Sequence, residues 1–188
     1  MAKVSTKSIN VPIGAAIVEY GEGDEMVKFD ITKGGITFGV STSVQEVTVD
    51  QYGETPVKAI MKGRKAETTV PFALHELDKL AMVMPNSKLY KNGDKKKLVV
   101  NATAGFDLLA TAKKMVIKPT DPNATENDWI TIPLASAIAD PDYTYDSDNE
   151  RVTNITFNAY PNMETGELYI LGDESVKETE TVTVPTGK

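Results

Sequence analysis

Two runs of alternating apolar and polar residues flank a turn cluster, and the rest of the chain is organised around them. In the first run Ile36, Phe38 and Val40 share one face of an extended strand, whereas Val47 and Val49 have the opposite parity. The pattern therefore predicts a register change between Gly39 and Gln45, with Gly39 as the place for a bulge. After the turn at Asp50–Pro56, Val57, Ala59 and Met61 alternate with Lys58, Ile60 and Lys62, and Gly63 punctuates the run before Ala66, Thr68 and Val70. The resulting hairpin approaches roughly fifteen residues per arm, where ordinary strands run to about five or six. Arms of that length protrude or pair with another chain.

Pro71 and Pro85 bracket a run of helical period. Leu74, Leu77, Leu80, Ala81 and Met84 fall on one stripe, with Glu76, Asp78 and Lys79 off it, which predicts an amphipathic helix over 72–84 packed on a sheet. Further strands are expected at Ala15–Tyr20 and at Val27–Ile31, the latter free to pair with the first long arm. Leu89-Tyr90 and Leu98–Val100 bracket an Asn92-Gly93 hairpin turn. Met115–Ile117, Trp129–Leu134 and Val152–Ala159 read as extended, with a last apolar segment at Leu168–Asp173, and the sole tryptophan, Trp129, is expected in the core. Residues 1–13 lack periodicity and read as an extended arm, 14–173 as a single domain, and 174–188 as a polar, charged tail.

At 188 residues the chain is long enough for one sizeable core, and 40% hydrophobic with 25% charged residues suits a globular protein. No run approaches the ~18 apolar residues of a membrane span, and the N-terminus lacks the apolar centre of a secretory signal, so the chain is expected to be made and kept in a cytoplasm. Zero cysteines exclude disulfides, thiol catalysis and cysteine-ligated zinc. A net charge of −7 argues against a surface that grips nucleic-acid phosphates. The run Lys95-Lys96-Lys97 beside a turn reads as a solvated tip.

Catalytic schemes are short of parts. The only histidine, His75, falls inside the expected helix, so no base is placed beside a serine or threonine. No phosphate-cradling glycine motif occurs at a strand-to-helix turn. Asp140, Asp142, Asp146, Asp148 and Glu150 invite a calcium reading, but Arg151 stands at the sixth position from Asp146 and Phe157 at the twelfth, where an EF-hand needs glycine and glutamate. A solvated acidic loop, no cofactor and no enzymatic activity are the expectations.

The phrases SVQEVTVDQYGETPV (43–57) and AETTVPF (66–72), then Lys118-Pro119, Trp129–Ala135 and NITFNAYP (154–161), occur in an order that resembles the major tail tube proteins of long-tailed, siphovirus-type bacteriophages. The resemblance covers roughly residues 15–172. It implies a mainly β fold, a β-sandwich or barrel with a long hairpin and one amphipathic helix, like the type VI secretion tube. It also implies hexameric rings, each closing a barrel around a channel, stacked into a tube through which the genome leaves. Implied partners are further copies of the chain and tape-measure, tail-tip and terminator proteins. Viral DNA would pass without specific binding, nothing would insert into a membrane, and the location would be the virion tail after assembly in the host cytoplasm. The alternative is a non-enzymatic β-sandwich adhesin or capsid-decorating module, which accounts for the strands but not for the long hairpin.

Within that picture one hairpin face, with Val47, Val49, Val57, Ala59 and Met61, is expected to pack under the helix. The other is expected to turn Glu46, Thr48, Asp50, Lys58, Lys62 and Glu67 toward the channel, where acidic groups would keep phosphates from adhering. Contacts between subunits are expected at the tip, Gln51, Tyr52, Gly53, Glu54, Thr55 and Pro56, and at Ser8 and Asn10 of the arm.

Overall fold

The computed structural model describes residues 14–143, 145, 148 and 150–177, so the arm with Ser8 and Asn10, and the tail beyond Lys177, lie outside the described residues. Among those described, ten strands and one α-helix follow the order β1 (Ala16–Tyr20), β2 (Val27–Phe29), β3 (Thr37–Thr48), β4 (Pro56–Phe72), α1 (Leu77–Val83), β5 (Ser87–Asn92), β6 (Lys95–Val100), β7 (Lys113–Pro119), β8 (Ile130–Pro141), β9 (Thr153–Ala159) and β10 (Ile170–Leu171). The fold is mainly β and antiparallel throughout. Eight strands form one sheet in the order β2-β1-β7-β8-β9-β4-β3, with β10 on β8, and β5-β6 stand apart as a hairpin.

The large sheet curls. Strands lie about 4.8 Å apart, so three steps of a flat sheet would separate β1 from β9 by about 14 Å. Yet the rings of Tyr20 on β1 and Phe157 on β9 have centroids 5.1 Å apart. Phe29 on β2 and Phe72 on β4, five steps apart, also meet edge-to-face at 5.1 Å. The curl brings the segment after β2 back onto β4: the Lys33 N–H donates to the Pro71 carbonyl at 3.0 Å and the Ala73 N–H to the Ile31 carbonyl at 3.1 Å. Among the described residues this contact amounts to a single isolated bridge, Thr32 to Phe72, so the sheet stops short of a closed barrel.

Side chains at alternate positions fill the concavity: Val18 and Tyr20, Met115 and Ile117, Ala135, Ala137 and Ala139, Ile155 and Phe157, Val70 and Phe72 are all buried. Helix α1 covers the opening with Leu80 and Val83 buried and Leu77 beside them. It is shorter than its apolar period suggests, because β4 runs on through Pro71 to Phe72 and pairs with β9 up to Thr153. Tertiary pairing here overrides the local period. The short hairpin stands where expected, but Asn92 pairs with Lys95 and stays in β5, so the two turn residues are Gly93, at φ +57, and Asp94.

Three expectations are corrected. Strand β2 pairs with β1 rather than with the long arm. Trp129 is half-buried just ahead of β8, with the Lys118 ammonium 4.2 Å from its ring centroid, and lies outside the core. The register irregularities fall opposite the Ser43/Val44 and Val47/Thr48 steps, where the extra residues, Lys62 and Val57, belong to β4. Strand β3 is therefore regular, and its parity switch leaves apolar side chains on both faces.

Candidate assembly surface

Strand β9 accompanies β4 only from Phe72 to Glu67. Beyond that point β4 is bonded to β3 alone, and β3 to β4 alone, so Pro56–Ala66 and its partner form a two-stranded ribbon with both outer edges unpaired. Eleven residues at about 3.3 Å each carry this ribbon about 36 Å past the sheet. Every residue from Gly39 to Lys65 is exposed. Antiparallel geometry turns the N–H and C=O of alternate residues outward, which leaves about six residues of β3 offering unused ladder bonds.

The pairing register assigns the faces. Even-numbered residues of β4 from Ala66 to Phe72 are buried, so the core-side face of the ribbon continues through Val40 with Ala66, Thr42 with Arg64, Val44 with Met61, and Glu46 with Ala59. The opposite face carries Ser41 with Lys65, Gly39 with Glu67, Ser43 with Gly63, Gln45 with Ile60, and Val47 with Lys58. Both faces expose large apolar groups: Val44 is 54% and Met61 59% exposed on one, Ile60 48% on the other. An isolated two-stranded ribbon is at best marginally stable in water, and a long, flat, apolar edge is a template for another strand.

The six residues expected to share a channel face are separated by this register. Glu46 and Thr48 lie on the core-side face, Lys58 and Glu67 on the other, Lys62 is the bulged residue, and Asp50 begins a one-turn helix, Asp50–Tyr52, at the tip. Val57 is extra in β4 between Pro56 and Lys58, so Glu46 lies opposite Ala59 rather than Lys58 and the expected group is divided between the faces. The ribbon does not pack under the helix either, since α1 meets β8, β5, β6 and β2. The tip residues Gln51 to Pro56 are brought together: Gly53 turns the chain at φ +60, Thr55 N–H donates to the Tyr52 carbonyl at 3.2 Å, and Tyr52 stands 68% exposed. Sequence reading missed Val44, Ile60 and Arg64 as surface groups; the even parity of Val44 was the available signal.

Elsewhere several surface charges are paired within the chain. Glu19, with its side chain 11% exposed, meets Lys28 at 2.7 Å and Lys118 at 2.6 Å. Burial pushes its carboxyl pKa up, but hydrogen bonds and charge from Lys118 and Lys28 outweigh that and hold it below the usual value of 4.5. A groove of about 380 Å³ beside it is lined by Trp129, Val116, Met26 and Glu174. His75 precedes α1 and is exposed; its ring meets Tyr143 edge-on at 5.7 Å, with Nδ1 3.4 Å from the Tyr143 hydroxyl, which in turn lies 2.7 Å from Thr153 Oγ1. Among the described residues no group of three or more histidine, cysteine, aspartate or glutamate side chains could hold a metal ion. No described helix is long and apolar enough to cross a membrane.

No family model matches the chain, and no match appears among curated proteins. Among solved structures it is similar to a chain of the sheath–tube complex of an extracellular contractile injection system (PVC) in its extended state. The two are 16% identical with a TM-score of 0.45, over 82% of this chain and 90% of that one.

Proposed function

We propose that this protein is a structural subunit that polymerises with copies of itself into hexameric rings stacked as a bacteriophage tail tube, and that it has no enzymatic role. The observation that carries the reading is the ribbon. Its two outer edges and its apolar side chains are unpartnered along Gly39–Lys65, and neighbouring ribbons would satisfy both at once. The phrases at 43–57 and 66–72, which resemble tail tube proteins, lie on this same ribbon. A wall built of adjacent ribbons encloses a channel for the genome, and only one ribbon face can line it. We assign that role to the face turned away from the core, with Ser41, Gln45, Lys58, Lys65 and Glu67; Glu46 and Thr48 then face neighbouring protein. This face mixes Lys58, Lys65 and Glu67 with Ser41, Gln45 and the apolar Val47 and Ile60, so it presents no uniformly acidic wall to DNA. Tape-measure, tail-tip and terminator proteins are the partners such a tube requires, in the virion tail.

Electron microscopy of the purified chain tests this reading. Rings or hollow tubes with a central channel are expected. A species that stays monomeric at high concentration by light scattering overturns it.

A further inference from the structure

Topology sends the cationic β4 arm of the ribbon and an acidic connection out of opposite ends of the sheet, although the β3 arm and the tip add Glu46, Asp50 and Glu54 to the ribbon. Strand β4 pairs Phe72 with Thr153 at one end and Glu67 with Asn158 at the other. The β8–β9 connection leaves beside Thr153, since Pro141 pairs with that residue, whereas the ribbon departs past Glu67 in the other direction. Residues 57–66 hold Lys58, Lys62, Arg64 and Lys65 and no acid; residues 140–150 hold five acids and no base. None of the four ribbon cations has a carboxylate within ion-pair distance among the described residues, although eight lysines elsewhere do. Asp140 and Asp142, both exposed, likewise have no ion pair there.

We infer that Lys62 and Arg64 of one copy seat against Asp140 and Asp142 of the next copy along the tube, so that rings stack head to tail by charge. This rests on the tube reading and adds the contact that sets its polarity. Arg64 lies on the core-side face, off the face assigned to the channel, where its Nε donates to Thr42 Oγ1 at 3.2 Å and its Nη2 lies 3.9 Å from Met61 Sδ, a weak acceptor that a carboxylate would displace. Lys62, extra in the ladder, stands beside it at the bulge. Lys58 and Lys65 add to the field without making the contact. A head-to-tail contact is heterologous and repeats without limit along one axis, which is what stacking needs.

The test uses the full chain with three sets of substitutions: Lys62→Glu with Arg64→Glu, Asp140→Lys with Asp142→Lys, and all four together. Each reversed pair should raise the critical concentration for tubes by about tenfold or more, because like charges then face each other. The fourfold variant should return to within about threefold of the unaltered chain. Tubes indifferent to either reversal, or a fourfold variant that melts normally yet fails to recover, overturn the inference while leaving the tube reading intact. Should a variant fail to fold, salt decides with the unaltered chain. Raising ionic strength from 0.15 M to 1 M shortens the Debye length from about 8 to about 3 Å and should weaken stacking; no change overturns the contact. Absence of rings and tubes for the unaltered chain under every condition sinks both readings.

Discussion

Replacing Val44 and Met61 together by threonine separates folding of the subunit from its assembly. The two are directly opposite across the ribbon and stand 54% and 59% exposed in the single chain. Fully burying such a side chain stabilises by about 1.5–3 kcal/mol, so covering the exposed half of each would contribute about 2–3 kcal/mol per contact between subunits. At about 1.4 kcal/mol per factor of ten, losing it weakens association by about 30- to 150-fold. The subunit loses little, because threonine suits an extended strand and exposed substitutions shift stability by about 0.5 kcal/mol each. For a chain of this size that is a change in Tm of no more than about 4 °C. Sedimentation velocity over a concentration series reads association, and thermal unfolding of the dilute chain reads the fold. Unchanged assembly in the double variant, or a Tm collapse of about 10 °C or more, would refute the assignment of this pair to an interface.

Phe157 is fully buried against Tyr20 and Phe29, so Phe157→Ala should cost about 3–5 kcal/mol and lower Tm by about 6–20 °C in thermal unfolding. The folded-state pKa of Glu19 is depressed below 4.5, so its stabilisation is present in full above that value and lost as pH falls through the lower folded one. Urea unfolding at a series of pH values should therefore show less acid destabilisation in Glu19→Gln than in the unaltered chain; identical slopes count against the Lys28–Glu19–Lys118 arrangement. Removing residues 50–56 and closing the ribbon with a two-residue turn should leave thermal unfolding within a few degrees, because the tip is wholly exposed, but abolish polymerisation by light scattering.

Much of this architecture is legible in the chain because single residues carry it. The alternation Val18-Tyr20 and Ile155-Phe157 marks strands with one buried face, and Gly93 marks the short hairpin. The length of the β3–β4 arms is equally plain. What the pattern could not show is which strand carries the bulges, because Lys62 and Val57 look like ordinary members of an alternating run. Only the pairing with Ser43/Val44 and Val47/Thr48 reveals them as extra. That one ambiguity moved Glu46 and Lys58 to opposite faces and undid the expected channel group. Trp129 misled for a related reason: Ile130 and Ile132 follow it, but it sits just ahead of the buried positions of β8, where Lys118 covers its ring. The helix boundary was hidden by Pro71, which read as a helix start and is the second-last residue of a strand.

The central claim is that the outer edges of the ribbon are paired by other copies of the chain. Backbone hydrogen exchange, followed by mass spectrometry on the dilute chain and on assembled material, tests it most directly. In the dilute chain, outward N–H groups of 37–48 and 56–66 should exchange rapidly while those paired to β9 at 67–72 stay protected. On assembly the ribbon peptides should become protected to a degree comparable with the sheet, and peptides from the β5–β6 hairpin should not change. Ribbon peptides that exchange equally fast before and after assembly would contradict the account.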